Sequence, residues 1–160
     1  MLLTALALLA VDLPVRPMEV EVVRDAITDD IRAFATLRDD GNQLVVSCDP
    51  ARFDGARVSV HSTRWFGRGN VFSGERGITY RFDDLPPQRS GWDIEDRRAR
   101  LAGDRRARSF LGHLMVSEQL VIRARDIEEH VFDMTFRLRD VRPAVEQALA
   151  ACEAAANDES

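Results

Sequence analysis

The chain of 160 residues, 45% hydrophobic and 31% charged, is long enough to bury a core as one domain and too apolar to stay disordered. Its net charge of −5 excludes binding to nucleic acid through bulk charge and leaves only a local basic patch for that purpose. All 22 basic residues are arginine, which reads as a GC-rich coding signature, with selection for bidentate anion contacts as the alternative.

The chain opens on an apolar run, Leu2 to Val11. It is about half the length needed to span a bilayer, but it fits the apolar core of a secretory signal. We therefore expect residues 1–17 to be a signal or N-terminal apolar segment, 18–153 a single globular domain, and 154–160 a tail that frays. The competing reading of the opening run is a buried first strand or helix. The sequence EVEVVRD (Glu19 to Asp25) alternates apolar and polar residues and predicts a strand. DIRAFATLR (Asp30 to Arg38) does the same, with Ile31, Ala33, Ala35 and Leu37 on one face. DDGN (Asp39 to Asn42) is a strong hairpin signal leading into QLVVSC. DPARFDG turns the chain again, and ARVSVHSTR (Ala56 to Arg64) puts Val58 and Val60 on one face.

The stretch from Gly67 to Gly77 reads as a glycine-rich loop or long hairpin tip. ITYRFDD (Ile78 to Asp84) is the next predicted strand, stopped by Pro86 and Pro87, and QRSGWDIED after it reads as irregular, with a short strand inside it as the alternative. The period then changes. In ARSFLGHLMVSE, Phe110, Leu111, Leu114 and Met115 mark one helical face. QLVIRAR and HVFDMTFRL return to strands joined as a hairpin, the second with Phe132, Met134, Phe136 and Leu138 on one side. The last element, DVRPAVEQALAACEAAA, is a helix with Asp140 as N-cap and Pro143 in the first turn. Val141, Val145, Ala148, Leu149 and Cys152 share its inner side. The expected fold is therefore α+β: mainly antiparallel β, as sheet or sandwich, with two helices, the last C-terminal.

The two cysteines, Cys48 and Cys152, have no spacing suited to zinc or to a redox motif. In an oxidising compartment a bridge between them is the natural reading; two separate buried thiols are the alternative. The expected location is thus periplasmic or secreted, with the cytoplasm as the alternative.

The succession of LVVSC, ITYRFDD, FLGHLMVSEQLVIRAR and FDMTFRLRDVRPAVEQALAAC resembles the VasI-like accessory proteins encoded with type VI secretion systems. It is also similar to small exported bacterial proteins of related pattern. The match runs from about residue 43 to 152. The resemblance implies an exported, disulfide-closed domain with an accessory role and brings no catalytic residues with it.

None of the three histidines, His61, His113 and His130, pairs with another at metal-ligand spacing. His130 follows two glutamates, which reads as a solvated hairpin tip before it reads as a carboxylate–imidazole site. His61 and Ser62 are strand neighbours and so point to opposite faces. There is no nucleophile elbow, P-loop or dinucleotide fingerprint. No catalytic, cofactor-binding or metal-binding residue is assigned, and no cofactor is expected.

The sharpest charged feature is RRARLAGDRRAR, Arg97 to Arg108, in which a helix would align Arg97, Arg100, Asp104 and Arg108. It reads first as a solvated helix entry balanced by the nearby acidic segments FDD and WDIED. The functional alternative is contact with anionic lipid or nucleic acid. The candidate partner surface is Trp65, Phe66 and Phe72 with Arg97, Arg98, Arg105 and Arg106. The expected function is a small exported binding or envelope accessory protein, its partner another envelope or secretion protein. The alternatives are a hydrolase-type enzyme, or an arginine-patch binder of nucleic acid or an anionic membrane surface.

Overall fold

The structure is a computed structural model and describes residues 16–48, 55–72, 74–101 and 103–158. The opening apolar run and the turn at 49–54 lie outside these residues. The first strands are β1 (Glu19–Arg24), β2 (Ile31–Asp39), β3 (Asn42–Cys48) and β4 (Ala56–His61). A two-residue strand, β5 (Gly67–Arg68), precedes β6 (Glu75–Phe82), β7 (Gln88–Asp96) and β8 (Arg98–Leu101). Helix α1 (Asp104–Leu114) leads to β9 (Gln119–Arg125) and β10 (Val131–Arg137), and α2 (Val141–Asp158) follows.

All the strands join one antiparallel sheet in the order β1-β2-β3-β4-β8-β7-β6-β9-β10, with β5 paired to the end of β7. The architecture is therefore α+β, a single sheet and not a sandwich. The first four strands form a meander. Its tightest turn uses Asp40 (φ 47°) and Gly41 (φ 76°), both left-handed as a two-residue hairpin loop of primed type requires. The chain then leaves the sheet at β4 and returns through β6, β7 and β8 in reverse order, so that β8 closes against β4. Helix α1 carries it back over β7 and β6 to β9, which pairs with β6.

Period-two alternation decides which face is buried. Ala33, Ala35 and Leu37 of β2, Leu44 and Val46 of β3, Val58 and Val60 of β4, and Leu120 and Ile122 of β9 all point into one core. Both helices lie on that face. Val141, Ala144, Val145, Ala148 and Cys152 of α2 pack over β1 to β3. Phe110 of α1 drops into an aromatic nest made by Tyr80, Phe82 and Trp92, at centroid distances of 5.0, 4.9 and 6.0 Å. The sheet is bent enough that its late and early strands meet: the Arg137 guanidinium donates two hydrogen bonds, of 3.0 and 2.8 Å, to the Asp39 carboxylate, and the Arg137 amide adds one of 3.1 Å. Cys48, at the end of β3, is disulfide-bonded to Cys152 in α2, with Cα atoms 6.1 Å apart.

Several expectations need correction. The stretch read as irregular, Gln88–Asp96, is a nine-residue strand, because Trp92 and Ile94 alternate with residues that face outward. The glycine-rich stretch is strand at both ends, β5 at Gly67–Arg68 and β6 from Glu75, with the described residues 69–72 and 74 as loop between them. The basic run does not form one helix. Arg97 sits in the β7–β8 turn, Arg98 and Arg100 lie on β8, and α1 begins at Asp104. Asp140 takes a left-handed φ of 56°, unlike an ordinary N-cap. Helix α2 runs on to Asp158, two residues past the predicted DVRPAVEQALAACEAAA.

Candidate functional site

Strand β6 pairs with β9 only over Thr79–Phe82. Below Thr79, β6 stays with β7, while β9 stays with β10 through Arg125. The two strands therefore part, and a cleft of about 340 Å³ opens between them. Its apolar lining comes from the buried Phe66, Ile78 and Ala124, the half-buried Ile94 and the exposed Val131. The Trp65–Gly67 segment closes the far end: the Phe66 amide donates to the Asp96 carbonyl, and the Ile127 amide donates to the Trp65 carbonyl.

Four arginines from three strands line this cleft: Arg76 of β6, Arg89 of β7, and Arg123 and Arg125 of β9. One carboxylate, Glu129, joins them. Arg76 pairs with Glu129 and donates 2.7 Å to the Phe66 carbonyl. Arg123 grips Asp133 through two bonds of 2.7 Å. That fork raises the Arg123 pKa and holds the Asp133 carboxyl below the usual carboxylate range. Arg125 donates to the Glu129 backbone carbonyl at 3.1 Å and makes no ion pair among the described residues. Arg89 has no hydrogen-bond or ion-pair partner among the described residues. Its guanidinium lies over Gly77, where a Cβ would stand 2.6 Å from Nε, so the missing side chain makes its room.

The turn from Asp126 to His130 shapes the rim. Desolvation pulls the Asp126 pKa upward, but the amides of His130 and Glu128, at 2.9 and 3.0 Å, more than offset it and keep the carboxyl low. His130 Nδ1 stands 3.4 Å from Glu128 and 3.6 Å from Asp126, in an exposed tip beside the cleft. His61 is on the other half of the sheet, and desolvation, joined by the Arg98 charge, lowers its pKa. His113 stacks on Phe82.

The residues assigned to a partner surface from the sequence do not form one patch. Phe66 is 1% exposed and packs its ring 5.7 Å from that of Phe132, so it belongs to the core and not to a surface. Trp65 (49% exposed) lies near the cleft's closed end, while Phe72 (96%) stands at the tip of the 69–74 loop. Arg98 pairs with Glu95 and Arg100 with Asp93, so WDIED does balance part of the basic run, as neighbouring strands and not as a helix face. Arg97, Arg105 and Arg106 are exposed and have no such partner among the described residues. Arg106 reaches toward β7, its Nη1 3.5 Å from the position a Cβ on Gly91 would take.

The four cleft arginines escaped sequence reading because they come from separate strands and none sits in a motif. The one available signal was the pair Arg123 and Arg125, placed two apart on the polar face of QLVIRAR. Among the described residues, no group of three or more His, Cys, Asp or Glu is placed to hold a metal ion. No family model, curated protein or solved structure matches the chain.

Proposed function

We propose that the protein is an exported accessory domain that works by binding. The observation that carries this reading is the ring of guanidinium groups around the β6–β9 cleft. Arginine stays protonated at any physiological pH and offers fixed donor forks, so the cleft is equipped to hold an anion and not to move a proton. Support for export comes from the Cys48–Cys152 bond, since disulfides persist outside the reducing cytosol. Among the described residues no helix is long and apolar enough to cross a membrane. An envelope accessory role is the one that the VasI-like resemblance implies.

The test is fractionation of the native host followed by intact-mass spectrometry without reductant. The expected species lies outside the cytoplasm, lacks its opening segment and is two hydrogen atoms lighter than the dithiol. A cytoplasmic protein with both thiols free overturns the placement.

A further inference from the structure

We infer that the cleft between β6 and β9 is a binding site for a phosphate monoester carrying an apolar or ring-shaped body. This rests on the reading of the chain as a binding domain, though not on its export. Three observations on the site converge. The first is charge. Of the four guanidinium groups, Arg76 is paired with Glu129 and Arg123 with Asp133. Arg89 and Arg125 remain without a carboxylate among the described residues. Two guanidinium groups without an ion pair, with the Glu75 carboxylate over the neighbouring Gly91 as the nearest acid to Arg89, match a phosphate monoester, which carries about −1.5 to −2 at neutral pH, better than they match a single carboxylate.

The second is geometry. The forks come from three different strands: Arg89 of β7 and Arg123 of β9 stand on either side of Thr79, which is the register partner of both. A tetrahedral group with several acceptor oxygens can take forks from more than one side, whereas a planar carboxylate presents two oxygens in one plane. The third is the lining. Ile94, half-buried, and Val131, exposed, give it an apolar side that inorganic phosphate alone would leave unused. The volume of about 340 Å³ lies at the small end of ligand sites, which run from roughly 300 to 1,000 Å³. Gly77 is the positioning device: it clears the place where the Arg89 guanidinium lies.

Phenyl phosphate, titrated calorimetrically into the purified disulfide-bonded protein, is the direct probe. Saturable binding is expected, with a dissociation constant of the order of 1 mM or tighter, and weaker binding of benzoate and of inorganic phosphate. Arg89→Ala is expected to weaken phenyl phosphate by about tenfold. Gly77→Ala keeps every charge but pushes the guanidinium aside, and it should weaken binding too. Arg105→Ala, a surface control of equal charge change, should not.

A second arm uses vesicles of phosphatidylcholine doped with phosphatidic acid. Sedimentation with the vesicles that Arg89→Ala abolishes assigns the phosphate to a lipid headgroup. Phenyl phosphate binding without sedimentation assigns it to a free small ester. The inference fails if phenyl phosphate does not saturate the wild-type protein. It fails equally if Arg89→Ala and Gly77→Ala bind as the wild type does, or if Arg105→Ala loses as much as Arg89→Ala. A cytoplasmic location in the host would undo the export reading and leave this result standing.

Discussion

Asp39 shows what one side chain does for the closure of the bent sheet. Its carboxylate accepts two bonds from the Arg137 guanidinium and one from the Arg137 amide, ninety-eight positions away in sequence. The guanidinium bonds lead the amide in holding the Asp39 pKa below its ordinary 3.8. A carboxyl whose folded pKa is depressed adds stability that is fully present above the unfolded value and lost as pH falls through the folded one. Asp39→Asn is therefore expected to lower stability near pH 7 by about 1 kcal/mol, a figure kept small because the Arg137 side chain is partly exposed. Urea titrations should show the gap between variant and wild type closing as pH drops below 3.8. A gap that persists unchanged at low pH would mean the carboxylate's charge is not what matters.

At the scale of elements, alternation and turn chemistry carried most of the information. The strands at β2, β3, β9 and β10 and the C-terminal helix were legible because their apolar residues keep strict period, and because Asp40–Gly41 names its own turn. Strand β7 was hidden, since Gly91, Ser90 and charged residues dilute its pattern. Only tertiary contact shows that Trp92, 0% exposed, is its centre. The arginine run misled for a related reason: Ala99 and Leu101 are buried strand residues, yet alanine and leucine also favour helix. Where α1 does begin, Arg105 and Arg106 sit in its first turn, beside the positive end of the helix dipole. Arg105→Glu is expected to raise stability by roughly 0.5 kcal/mol, read as a higher thermal midpoint at low salt that shrinks as salt is added. An unchanged or lowered midpoint would count against the dipole argument.

For the molecule as a whole, the disulfide joins the first half of the sheet to the helix that covers it. Fold class and this pairing were both readable from the sequence, since Cys48 ends an apolar strand and Cys152 falls on the inner side of a periodic helix. The cleft was not readable, because a site made by two strands parting depends on register, and register is set by the whole sheet. In the chain-entropy account, closing a loop of 104 residues stabilises by up to about 4.7 kcal/mol. Reduction, or Cys48→Ser with Cys152→Ser, is expected to shift urea unfolding to lower concentration by most of that amount. The two routes should agree; a small shift by either would mean that the unbridged chain already keeps these ends together.

The same bond closes most of the molecule into a ring, with β1 and β2 on the arm before it and a short tail after it. One point among the described residues open to a protease is the tip at Val71 and Phe72, where the side chains are 92% and 96% exposed. A chain cut there is severed on paper only. The fragment holding the first five strands stays tethered to the rest by sulfur, and β4 still lies against β8. Such a nicked molecule migrates as one species until reductant is added, and then as two. A single scission there would leave the assembled body intact.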